Sequence, residues 1–109
     1  MKRNTDSSAQ LFAALGDETR QRLLARLIEG PLSITSLTEG SGITRQAVTK
    51  HLRVLADAGF VRGDRQGRET VWTIEANALA DARRYLDQIS ARWDNALTRL
   101  QNLVENREP

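Results

Sequence analysis

The sequence predicts a mostly α-helical fold with one small β-hairpin, on three observations. Apolar residues recur at steps of three and four along most of the 109-residue chain, the spacing of one helix face. That spacing gives way to an alternating period in two short segments between residues 60 and 74. The aromatic residues are few (Phe12, Phe60, Trp72, Tyr85, Trp93), so a core has to be built from Leu, Val, Ile and Ala, a palette that suits packed helices.

Residues 7–15 place Ala9, Phe12 and Leu15 at helical spacing, with Ser7 or Ser8 as the N-cap. Gly16 breaks this helix. Asp17 then caps a second one, whose Leu23, Leu24, Leu27 and Ile28 form a broad apolar stripe closed by Gly30-Pro31. Leu32 and Ser33 suit a very short strand, and residues 34–39 have room for one or two helical turns before Gly40-Ser41-Gly42. Thr44 caps a fourth helix: Val48, Leu52 and Leu55 face one way, while Arg45, Gln46, Thr49, Lys50 and Arg53 lie mostly on the other side. Gly59 is placed to end it. Residues 60–64 and 70–74 read as two strands, with Trp72 and Ile74 on one face and residues 65–69 as the hairpin tip. From about Asn77 onward Leu79, Ala82, Leu86, Ile89, Trp93, Ala96, Leu100 and Leu103 alternate steps of three and four, a heptad seam of more than three repeats.

A short helix, a tight glycine-containing turn and a capped second helix with one apolar and one basic face make a helix-turn-helix, and the hairpin that follows makes it winged. In such an arrangement the second helix is the reader. It must bury one stripe to be held rigidly while polar side chains near its N-terminus reach base edges in the major groove. Gln46 and Thr49 fit base reading, since an amide pairs bidentately with adenine and a threonine methyl meets the thymine methyl. Arg45 suits either guanine or phosphate. Lys50 and Arg53, further along the exposed face, suit backbone contacts, and Thr44 stands at the positive end of the helix, where a phosphate is favoured. Arg65 and Arg68 flank Gln66-Gly67 in the hairpin, in reach of a minor groove or flanking phosphates.

Charge agrees with this. Residues 1–43 carry five basic and five acidic side chains and residues 75–109 five and six, whereas residues 44–74 carry six basic (Arg45, Lys50, Arg53, Arg62, Arg65, Arg68) against three acidic. The formal excess of +2 is therefore concentrated in the middle segment, as phosphate binding requires. A solvated helix face and an ordinary exposed turn are the plain alternatives for these residues taken singly.

Length and composition limit other functions. The chain fits one domain, 1–109, in which residues 77–105 form a C-terminal dimerisation helix. Without cysteine there is no disulfide, thiolate nucleophile or zinc finger, which fits a reducing cytoplasm. Met1-Lys2-Arg3 leads into polar residues, and no run approaches the length of a membrane span. A single histidine, no phosphate loop and no distinctive carboxylate pair argue against an enzyme, and no cofactor is implied. The stronger rival is a protein-interaction adaptor, which would have little use for Arg45, Lys50, Arg65 and Arg68.

Three blocks resemble the ArsR-type winged-helix repressors, in the branch lacking metal-binding cysteines. They are Phe12-Ala13-Ala14-Leu15-Gly16-Asp17-Glu18-Thr19-Arg20 with Leu23 and Leu24, then residues 44–55 from Thr44-Arg45-Gln46 to Leu55, then Ala58-Gly59-Phe60-Val61 followed by Gly67-Arg68 and Trp72. The resemblance spans residues 10–74. It implies a homodimer joined through the first and last helices, with Phe12, Leu79, Leu86, Ile89, Trp93 and Leu100 at the interface, and repression at an inverted-repeat operator. The seam supports a dimer independently, because a helix over 77–105 runs roughly 40 Å and a chain this short does not easily cover it alone. Metal-sensing members of the family carry cysteines before the reader helix, or Asp and His ligands along the last one. Here residues 32–37 hold no thiol, and the last helix has Asp81, Asp87 and Asp94 but no histidine, so a transition-metal sensor is not expected. His51 fits packing or a hydrogen bond. For an unidentified small-molecule effector, Phe12, Tyr85 and Trp93 are the apolar residues available, though core packing accounts for them better.

Overall fold

The computed structural model describes residues 3–106, with side chains from residue 9 onward; Met1 and Lys2 lie outside it. The elements are α1 (Arg3–Leu15), α2 (Glu18–Ile28), β1 (Leu32–Ser33), α3 (Ile34–Thr38), α4 (Arg45–Asp57), β2 (Val61–Gln66), β3 (Glu69–Ile74) and α5 (Ala76–Asn106). This is the winged helix-turn-helix order read from the sequence. The chain divides into two compact units after Leu79.

The first unit holds the fold. Its core is formed by Leu23, Leu24 and Leu27 of α2, Ile34 and Leu37 of α3, Val48, Leu52 and Leu55 of α4, Val61 and Trp72 of the sheet, and Phe60 just ahead of β2, with Ala14 from α1. The α2 stripe is narrower than its periodicity suggests, because Ile28 is 62% exposed. Capping follows the sequence closely. Asp17 accepts the Arg20 N–H, Ser33 the Ser36 N–H and Thr44 the Ala47 N–H, each satisfying one otherwise unpaired donor of a first turn.

Two boundaries differ from expectation. Helix α1 starts by Arg3, so Ser7 and Ser8 lie inside it and are not its N-cap. The polar residues ahead of them contain no glycine or proline to stop the helix, and polar composition alone does not. The hairpin is also tighter. Arg65 and Gln66 belong to β2, Glu69 belongs to β3, and the loop is only Gly67-Arg68, while Phe60 precedes the strand. Gln66 pairs with Glu69, and Gly67 has φ +64, the positive value that the first position of a two-residue hairpin turn needs.

The sheet has three antiparallel strands in the order β1-β3-β2, so β1 adds a third strand to the hairpin, pairing Leu32 with Trp72 and Ser33 with Val71. Gly63, opposite Trp72 on β2, makes room for the indole: a Cβ there would lie 3.0 Å from the ring carbons Cη2 and Cζ3. This anchors the wing through one large side chain.

In the second unit, α5 is amphipathic. Of its seam positions Ala82 is buried; Leu86, Trp93, Leu100 and Leu103 are exposed, and Leu79, Ile89 and Ala96 are half-buried. Core packing, expected for Phe12, Tyr85 and Trp93 together, does not hold for Trp93, which is 65% exposed. No described helix is long and apolar enough to cross a membrane.

Burial of the α4 stripe leads to a stability prediction. Leu52→Ala should lower the unfolding free energy by about 2–5 kcal/mol, because Leu52 is fully enclosed. Val54→Ala, on the exposed side of the same helix, should change it by about 0.5 kcal/mol or less. Urea denaturation of the two variants checks the contrast.

Candidate nucleic-acid interface

The positions of α3 and α4 are set by two arginines of α2. The Arg26 guanidinium donates to the carbonyls of Ser36 (2.9 Å), Leu37 (3.0 Å) and Glu39 (3.4 Å), satisfying the exposed C-terminal acceptors of the five-residue helix α3. Arg20 donates through Nε to Ala14 O (2.7 Å) and through Nη2 to Ala13 O (3.0 Å), while its Nη1 lies 3.2 Å from Nδ1 of His51 on α4. With Nη1 as the donor, the His51 ring nitrogen accepts, which ties the end of α1 and the start of α2 to the middle of α4. Asp17 completes this cluster 3.8 Å from His51 Nδ1. The Arg20 N–H donated to Asp17 holds its carboxyl below the ordinary 3.8. Partial burial opposes this, and the nearby Arg20 and His51 charges assist it. Sequence reading gave His51 a hydrogen bond or packing and found no role for Arg26. The available signal was an arginine beside the apolar stripe of a helix, a place where long side chains reach backbone carbonyls.

With Val48, Leu52 and Leu55 fully enclosed, the opposite side of α4 is presented outward. Thr44, Gln46, Ala47, Thr49, Lys50 and Arg53 line one open depression of about 570 Å³. The Thr49 hydroxyl donates back to Arg45 O (2.9 Å), and the Thr44 oxygen is engaged by the Ala47 N–H. A second depression of about 450 Å³ lies between α4 and the wing, lined by Arg45, Thr49, Arg53, Gly63, Thr70 and Trp72 among others. Arg65 and Arg68 are exposed at the hairpin, and Arg65 Nε donates to Gly67 O (3.1 Å).

The basic residues of the middle segment are not equivalent. Arg62 is held by Asp64 (3.1 Å) and Glu75 (2.9 Å), and these partners push its pKa above the ordinary arginine value. Its charge is largely cancelled. Arg45 lies 3.8 Å from Glu69. Among the described residues Lys50, Arg53, Arg65 and Arg68 form no ion pair. The expected contacts Thr44, Gln46, Thr49, Lys50 and Arg53 are therefore gathered on one surface, with Arg45 beside Thr49 and Arg53 in the neighbouring depression. The contribution of Glu69 is not apparent from sequence, where it appears as part of a turn.

Helix-turn-helix, exposed basic reader face and hairpin wing together define a DNA-binding regulator of the winged-helix class. The family described as "Helix-turn-helix domain" matches residues 15–64. Rv2034 of Mycobacterium tuberculosis, an HTH-type transcriptional regulator, is 33% identical over 92% of this chain and 91% of its own length. A probable mercury resistance operon repressor of Streptomyces lividans is 33% identical over 70% of this chain and 61% of its own. The solved structure of an ArsR-like transcriptional regulator from Rhodococcus sp. RHA1 is 34% identical, covers 92% of this chain and 94% of its own, and superposes with a TM-score of 0.77. The chain belongs to the ArsR family of helix-turn-helix transcriptional regulators, a family of regulators and not of enzymes.

The Asp17 cluster carries a pH signature. A carboxylate whose folded pKa is lowered stabilises the fold above its unfolded value and loses that contribution as pH falls through the folded one. Asn keeps the capping acceptor without the charge. Wild type should therefore be more stable than Asp17→Asn at neutral pH, and the gap should close below about pH 4, followed as urea midpoints across pH.

Proposed function

We propose that this protein is a homodimeric, cytoplasmic transcriptional repressor that occupies an inverted-repeat operator and does not sense transition metals. One observation carries the DNA-binding part: a helix whose apolar side is fully enclosed turns Thr44, Gln46, Thr49, Lys50 and Arg53 toward a single open surface. Gln46 and the Thr49 methyl group read bases, Lys50 and Arg53 hold phosphates, and Thr44 brings a phosphate to the positive end of α4. The wing arginines Arg65 and Arg68 add contacts beside the groove. An adaptor would gain nothing from so many unpaired cations.

Dimerisation is supported by α5. Leu86, Trp93, Leu97, Leu100, Leu103 and Val104 are each about half exposed or more, too continuous an apolar run to be an ordinary water-facing helix. A second α5 covers it, with Phe12, Leu79 and Ile89 contributing. Such a dimer places two reader helices on half-sites about one helical turn apart. Repression is supported by the repressors among the relatives. The reading without metal rests on a chain that has no cysteine and whose single histidine is engaged with Arg20. An effector that releases the protein from DNA is compatible with this reading.

Selection of bound fragments from the source genome tests the proposal, with paired, inverted half-sites expected. On the selected duplex Gln46→Ala should cost about 1–3 kcal/mol and relax the preference at one position. Lys50→Ala should weaken all sequences alike and reduce the salt slope by about 0.9, read by fluorescence anisotropy; a change in sequence preference would contradict its role. Trp93→Glu should convert dimer to monomer in sedimentation. A dimer unchanged by that substitution would remove the α5 seam from the interface.

A further inference from the structure

The strongest unexplained feature is an acidic side chain placed among the basic ones. Glu69 closes the hairpin opposite Gln66, and its carboxylate is shared between two other elements. Thr35 of α3 donates its hydroxyl to Oε2 at 2.5 Å, a short charge-assisted bond that fixes the carboxylate in one orientation. The other oxygen, Oε1, is buried, has no hydrogen-bond partner, and faces Nη2 of Arg45 at 3.8 Å. Arg45 itself is more than half exposed at the first turn of α4.

A protein that only needed to hold phosphates would gain from leaving this carboxylate out, because it opposes the approach of a polyanion and offsets one of the few cations on the surface. Its rigid tether points to another use. An unrestrained arginine samples many rotamers and meets whichever phosphate is near. One drawn by charge toward a fixed carboxylate 3.8 Å away keeps its donors free and favours one direction, as bidentate recognition of guanine O6 and N7 demands.

We propose that Glu69, fixed by Thr35, is a positioning residue that holds Arg45 in the orientation for reading a guanine, trading general affinity for sequence selectivity. This rests on the DNA-binding reading above and deepens it: Arg45 becomes a base reader, and the wing takes part in specificity by setting the direction of a side chain on α4 without touching that base.

The test compares the duplex selected from a random pool by the wild-type protein with a scrambled duplex of the same composition, across salt. Glu69→Gln keeps the shape and an acceptor for Thr35 but removes the charge. It should bind the scrambled duplex about threefold more tightly, with a salt slope steeper by about 0.9, and its selected-to-scrambled ratio should fall about fivefold. Thr35→Val leaves the carboxylate charged but untethered. The ratio should again fall, with the slope on scrambled DNA unchanged, a result that simple charge repulsion does not produce. In the Arg45→Gln background neither substitution should lower the ratio further. An unchanged ratio in Thr35→Val overturns the proposal, including where Glu69→Gln fails to fold. Wild-type protein with no salt-sensitive binding to either duplex overturns the DNA-binding reading itself, and this inference with it.

Discussion

The molecule depends on the burial of one stripe of α4. Val48, Leu52 and Leu55 are fully enclosed, and each contributes about 1.5–3 kcal/mol on leaving water. The more important consequence is geometric. Once these three side chains are seated against α2, α3 and the sheet, α4 cannot rotate about its axis, so its polar side chains are held in fixed directions. A reader helix lacking that constraint would hold the same residues without a fixed register, and base contacts are sensitive to shifts of an ångström.

Around this constraint the arginines divide their labour. Arg20 and Arg26 are spent inside the fold, on carbonyls at the ends of α1 and α3, where guanidinium groups satisfy acceptors that short helices leave open. Arg62 is cancelled by two carboxylates, and Arg45 lies 3.8 Å from one. Among the described basic residues of the middle segment, those without an ion pair are a smaller set than the charge count suggests: Lys50, Arg53, Arg65 and Arg68. The modest formal charge of +2 is thus compatible with a strongly directional positive surface.

Much of this was legible in the sequence because local rules and tertiary packing agree. The caps Asp17 and Thr44, the stripe of α4 and the change of period at residue 60 are local signals, and the structure follows them. Helix α1 starts ahead of Ser7 and Ser8 because serines that favour caps are also tolerated inside a helix when no glycine or proline intervenes. The hairpin tip is narrower than residues 65–69 suggest, since their charged side chains resemble a loop although the backbone pairs through Gln66 and Glu69. The partners of Glu69 and Arg26 are not fixed by local spacing. These partners, Thr35 and the α3 carbonyls, lie 34 and between 10 and 13 residues away, and no spacing rule connects a side chain to a distant element.

The direct test of the central claim, that α4 and the wing form the DNA surface, is a titration of isotopically labelled protein with the selected duplex, followed by amide chemical shifts. The account predicts that perturbations concentrate on residues 44–53 and on Arg65 to Arg68, and that they diminish as salt is raised. Shifts confined to α5, or an undisturbed spectrum for residues 44–53 in the presence of bound DNA, would contradict it.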